Sequence, residues 1–154
     1  MSVTAWRITR RKHARSAFSG AGARKYGGRW NSPGVALVYT AQNQALAILA
    51  MLVHLENTEL LDQYVLIGVE IGESFIQEFD GTHLPRNWRD DPAPVSLDAI
   101  GDERALSQAS AALRVPSTLV PGEDNLLLNP LHPDFTRLQV GKPISFRFDL
   151  RLSR

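Results

Sequence analysis

The chain reads as a single α+β domain spanning residues 1–154. Three observations predict this. Stretches with period-two alternation or short apolar runs outnumber helical ones. The two principal helical regions, residues 42–55 and 96–112, fall between strands in no repeating order. A chain of 154 residues also suffices to bury a sizeable core without staples.

In chain order, Ala5-Trp6-Arg7-Ile8 alternates and predicts a first strand that leaves Arg7 on the face opposite Trp6. Residues 10–28, basic and rich in Gly, Ser and Ala, predict a long loop with one helical turn near Lys12 to Phe18. Gly27-Gly28-Arg29-Trp30-Asn31-Ser32-Pro33-Gly34 is turn chemistry, and residues 35–40 behind it form a buried strand carrying Tyr39. Residues 42–55, capped by Thr40 or Asn43, are apolar almost all round, which predicts a central buried helix whose terminal carbonyls His54 satisfies. Residues 63–71 predict a strand, 73–79 a turn, 84–94 a proline-rich surface loop and 96–112 one or two helices. The prolines at 116 and 121 fence a short strand over residues 114–121, with Ser117 just inside it. A short strand at 126–128, a rigid turn at 129–134 and an alternating closing strand at 144–151 complete the order.

Composition excludes several functions. With no cysteine, neither disulfides nor a thiolate nucleophile is possible, which suits a reducing cytoplasm. His13, His54, His83 and His132 are far apart, so no metal site is expected. No apolar run approaches the roughly 18 residues of a membrane span, and no leader pattern opens the chain, so a soluble, unprocessed protein is expected. The net charge of +1 hides a division. Residues 1–55 hold eight Lys/Arg and no acidic residue, whereas residues 56–154 hold nine basic and all sixteen acidic residues, a split of +8 against −7. Such a split predicts an anion-binding first third, unless the two parts pair their charges on folding.

Arg29 and Tyr39 are delivered to one place by the glycine turn and the strand behind it. A planar fork of donors and a flat face with a polar tip suit a nucleotide-like ligand. No phosphate-binding glycine fingerprint and no Gly-x-Ser-x-Gly elbow around Ser117 is present, which argues against the common mononucleotide folds and a serine nucleophile.

Trp6-Arg7, Gly27-Gly28-Arg29-Trp30-Asn31, Val38-Tyr39-Thr40-Ala41, Ala45 to His54, Leu113-Arg114-Val115-Pro116-Ser117 and Asn129-Pro130-Leu131-His132-Pro133-Asp134-Phe135 together resemble the RES-domain proteins. The likeness runs from Trp6 to Arg151. It implies a small twisted mixed sheet with flanking helices, similar to diphtheria-toxin-like ADP-ribosyltransferases. It also implies a toxin of a bacterial toxin–antitoxin pair, ParT-like members included. Such a toxin uses NAD as its substrate, is held by an Xre-type antitoxin, and meets nucleic acid only through that antitoxin. By this resemblance Arg7 and Arg29 contact NAD, Tyr39 stacks on nicotinamide, and Ser117 is a polar ligand. Asn129 and His132 hold a turn. ADP-ribose would pass to a protein acceptor, water or phosphate.

One position departs from the family pattern: Ala50 stands where the family has glutamate. A carboxylate there would stabilise the oxocarbenium character that develops at the ribose. Glu56, about 240° further round the helix, faces elsewhere. With every other site position kept, the pattern reads as a disarmed toxin, an engineered change accounting for it better than a silent natural member. The rivals are an antitoxin-binding protein without turnover and a nucleic-acid-binding module using the basic first third.

Overall fold

The computed structural model describes residues 1–153. Eight strands form one sheet: β1 (Ser2–Arg10), β2 (Val38–Ala41), β3 (Tyr64–Gly72), β4 (Ile76–Glu78), β5 (Ala112–Pro116), β6 (Asp124–Leu128), β7 (Gln139–Val140) and β8 (Ile144–Phe146). Their order is β4-β5-β6-β2-β1-β3-β7, with β8 also beside β3. Only β4 and β5 run parallel, so the sheet is mixed, and the α+β expectation holds.

The sheet curls. Ala5, Val38, Val69, Ile71, Ala112, Leu126 and Leu128, from five strands, meet in one buried cluster on one face. On the opposite face, helix α2 (Gln44–Leu52) packs Leu46 and Ala47 against Ile8, Tyr64 and Leu66. Helix α3 (Val95–Leu106) packs Leu97 against Trp30, Leu113, Val115 and Leu127. The seam between the two halves is the β1–β2 junction, where the register has a single pair, Trp6 opposite Ala41.

Several boundaries differ from the expectation. β1 extends to Ser2 because it pairs along its whole length with β3. Residues 10–28 are not mostly loop: Arg11–Ser16 is a 3₁₀ segment and Ala21–Tyr26 a short helix, α1, entered through Gly20 at φ 72°. α2 is shorter than expected and not central. Leu49 and Val53 stay exposed on its outer side, because an all-round apolar sequence does not say which side meets the sheet. His54 is exposed, and its backbone N–H, not its ring, closes the last turn on Met51 O at 3.0 Å. β5 begins at Ala112 and ends before Ser117. The closing strand stops at Phe146, since Phe148 leaves the ladder to stack edge-on against Tyr64 at 5.0 Å.

Residues 96–112 give one helix, not two, because Gly101 is an interior position where α3 touches the Trp30 backbone. A Cβ on Gly101 would lie 1.6 Å from Trp30 O. We therefore expect Gly101→Ala to lower stability by at least about 2 kcal/mol in urea unfolding. A change below about 0.5 kcal/mol would show that α3 can move off Trp30 freely.

Candidate functional site

The site is organised by a loop knotted around Asn31. Its amide nitrogen donates to Ala23 O at 2.8 Å and Val35 O at 2.9 Å, and its Oδ1 accepts from the Tyr39 hydroxyl at 2.5 Å. The same hydroxyl accepts from the Trp30 backbone N–H at 3.0 Å. Gly28 makes this approach possible, since a Cβ there would stand 2.6 Å from the Tyr39 oxygen. Ser32 is fastened to α3, donating from its N–H to Asp102 Oδ1 at 2.9 Å and from its hydroxyl to Asp102 Oδ2. Asn31 is fully buried, as suits an amide with every group bonded.

Tyr39 is largely buried beside Trp30, Leu37 and Leu127. Burial, reinforced by the charges of Asp98 and Asp102, pushes its hydroxyl well above the ordinary tyrosine range, so it stays protonated and donating. The adjacent Arg29 carries its Nη1 to the loop of residues 84–94, donating to Trp88 O at 3.0 Å and Asp90 O at 2.9 Å. Arg29 thus binds two carbonyls and no carboxylate among the described residues.

Arg7 enters from the other side of the sheet. By alternation it leaves β1 on the same face as Ala5, while Trp6 and Ile8 face α2. Its Nη1 donates to Tyr39 O at 3.1 Å in the seam, and its Nε is buried without a partner. Burial lowers its pKa, yet an arginine remains charged under any ordinary condition. Two guanidinium groups therefore bracket Tyr39, neither ion-paired with a carboxylate among the described residues.

Ala50 lies on α2 between Leu46 and Ala47 in angle, on the inward side. Those neighbours are buried, at 1% and 5% exposed, while Ala50 is half-buried.

Ser117 sits apart, in the turn after β5. Its Oγ accepts from the N–H groups of Leu119 and Val120 at 3.0 and 3.2 Å, and it is buried. Its backbone N–H donates to Glu123 O, and the Glu123 carboxylate accepts from Asn43, the residue whose Oδ1 caps α2 by accepting from Leu46 N. Ser117 is thus linked to the placement of α2. Asn129 bonds Ala105 O and Leu131 N, and His132 Nδ1 accepts from Asp134 N, so both hold the expected turn.

Residues 4–149 match the RES domain family. The chain belongs to the RES-domain family. It is 46% identical over 148 residues to a protein of Yersinia enterocolitica named "Toxin Res", covering 96% of this chain and 97% of that one. A Sphingobium protein named "Prs ADP-ribosylating toxin" is 38% identical and covered at 99% of its length, with all of this chain aligned. A solved structure described as the M. tuberculosis MbcT-MbcA toxin-antitoxin complex matches with a TM-score of 0.79 over 96% of this chain and 85% of that chain. At 19% identity that likeness establishes the fold.

Among the described residues of this RES domain, no group of three or more His, Asp or Glu could hold a metal ion. No helix of the described residues is long and apolar enough to cross a membrane. Asn31, Asp102 and Glu123 fix the site, but Asp102 and Glu123 act on partners 70 and 80 residues away in sequence, and Asn31 reads only as turn chemistry although its side chain bonds residues up to eight away.

Two consequences can be measured. Tyr39→Phe leaves the Trp30 N–H and Asn31 Oδ1 unpaired and should cost about 1–3 kcal/mol in urea unfolding. A neutral result would mean that water replaces the hydroxyl. Asp98 is pushed above the usual carboxylate range, first by burial and then by the charge of Asp102. A folded-state value above the unfolded one means that ionised Asp98 costs stability at neutral pH, and that this cost vanishes below the ordinary carboxylate range. Asp98→Asn should therefore raise Tm near neutral pH, the gain closing as pH falls through that window. A gain that does not depend on pH would contradict this cause.

Proposed function

We propose that this RES domain is the toxin of a bacterial toxin–antitoxin pair, acting in the cytoplasm. Its site between the Gly28–Asn31 loop and α2 binds NAD, whose nicotinamide–ribose bond is the one cleaved. The reading rests on one observation above all: two uncancelled guanidinium groups, Arg7 and Arg29, bracket an ordered tyrosine. A buried charge without a partner is costly, and a dinucleotide pyrophosphate supplies the missing anion while its ring finds the Tyr39 face. Family membership and the names of the relatives support the same substrate.

In this reading the residues divide the work. Arg29 turns from the Trp88 and Asp90 carbonyls to phosphate or ribose oxygens, so binding loosens the loop of residues 84–94 and links ligand entry to its position. Arg7 fixes the seam and contributes positive charge from beneath. Tyr39, with its hydroxyl spent on the loop, offers its ring for stacking on nicotinamide. Ser117 acts as a positioning residue, through Glu123 and Asn43, on the helix that carries position 50.

When the C1′–N bond breaks, its electron pair leaves with neutral nicotinamide and positive charge spreads over the ribose ring. A carboxylate at position 50 would face that charge; Ala50 cannot, a loss of the order of a hundredfold or more in rate. The chain therefore binds but turns over poorly. An acceptor nucleophile then attacks C1′ and gives up its proton. A protein side chain is the acceptor that the name of the 38% relative favours, with water and phosphate as the other choices. The partner that restrains the toxin is an Xre-type antitoxin, in keeping with the toxin–antitoxin complex among the structural neighbours.

Nicotinamide release tests this directly. Ala50→Glu should raise the rate by at least about a hundredfold, and Arg29→Ala should weaken NAD binding by at least about tenfold in calorimetry. A revertant that releases no nicotinamide with water, phosphate or protein acceptors present would contradict the assignment of position 50. Undiminished binding by Arg29→Ala would contradict that of the arginine.

A further inference from the structure

We infer that a second groove, on the face of the sheet beside the Arg11–Ser16 segment, receives an extended acidic segment of a partner protein. This does not rest on the NAD reading. The groove encloses about 400 Å³ and is lined by Arg11, Lys12, Arg15, Val65, Pro143 and Ser145. In a 3₁₀ segment residues three apart eclipse one another, so Lys12 and Arg15 project on one side, above a floor where Val65 of β3 pairs with Ser145 of β8.

The charge here is uncancelled. Arg10, one residue earlier, pairs with Glu59 and Asp62. Arg11 reaches only the neutral Gln63 Oε1, at 3.4 Å, and among the described residues no carboxylate pairs with Lys12 or Arg15. Lys142 and Arg147, on either side of β8, are exposed and equally without an acidic partner among those residues. Three uncancelled cations thus line the groove, and two more flank β8 in the sequence.

The ligand class follows from how those cations are held. A single phosphate is gripped by converging, preorganised donors, whereas here every cation is exposed on a flexible stem and they are strung along the groove. That arrangement suits several carboxylates spaced along an extended chain. The lining holds no aromatic ring on which a base could stack, which disfavours a single nucleic-acid strand. The volume is ample for a short peptide run.

The test uses the full chain and a fluorescein-labelled peptide of alternating Glu and Thr, read by anisotropy at low and moderate salt, beside an oligothymidylate of equal charge. The Glu-Thr peptide should bind, lose affinity with added salt, and bind at least about tenfold more weakly to the double variant Lys12→Glu, Arg15→Glu. The 3₁₀ segment buries no residue, so that variant should keep the parent Tm. Amide signals of Val65 and Ser145 should shift on peptide addition to the parent chain. Absence of peptide binding, binding that the double variant leaves unchanged, or tighter binding of oligothymidylate through Lys12 and Arg15 would overturn the proposal.

Discussion

The Tyr39 hydroxyl, donating to Asn31 and accepting from the Trp30 N–H, is the contact on which the rest of the site depends. It ties a glycine-rich loop to the middle of a buried strand, and it exists only because Gly28 presents no side chain to that oxygen. From this knot the order spreads outward. Trp30 is pinned under α3, where Gly101 lets the helix touch its backbone, and Ser32 is fixed to Asp102, the next residue of that helix. Arg29, between Gly28 and Trp30, has its backbone set by the knot and its side chain committed to the loop of residues 84–94. The loop, the strand and the helix therefore hold one another in place. Their common product is a fixed tyrosine with a guanidinium on either side.

The divided charge of the chain resolves into distinct uses. Of the eight cations in residues 1–55, Arg10 alone among the described residues meets carboxylates, those of Glu59 and Asp62. Arg7 goes to the Tyr39 carbonyl and Arg29 to those of Trp88 and Asp90, and Arg11, Lys12 and Arg15 border the groove over Val65. Most ion pairs among the described residues lie within the acidic remainder of the sequence, as Arg114 with Glu78 and Arg151 with Asp149. Pairing across the domain would have neutralised the first third. The fold instead leaves most of that charge without a carboxylate partner among the described residues.

Much of this was legible in the sequence where local periodicity sets the answer. The α+β class, the strand carrying Tyr39 and the long strand of residues 64–72 follow from alternation or short apolar runs. The resemblance carried the family, which the match over residues 4–149 bears out. Tertiary contacts decided the remainder. Phe146, Arg147 and Phe148 continue an alternating pattern, yet Phe148 does better against Tyr64 than in a ladder. The uniform apolarity of residues 45–53 hid which side of α2 meets the sheet, leaving Leu49 and Val53 outside. Ser117 reads as a strand residue until its hydroxyl is seen closing a turn on Leu119 and Val120. Asn31 looked like one more turn former, although its amide gathers three segments.

On the proposed reading, alanine at position 50 would let bound NAD persist long enough for equilibrium measurement. The most direct measurement is therefore a titration of the isotope-labelled chain with NAD, followed by backbone amide and arginine side-chain NMR. The largest shifts should fall on the Gly28, Arg29 and Trp30 amides and on the Arg29 side-chain N–H, with smaller ones at Arg7 and Ala50. Shifts confined to other surfaces, or none at millimolar NAD, would contradict a nucleotide site built on the Tyr39–Asn31 knot.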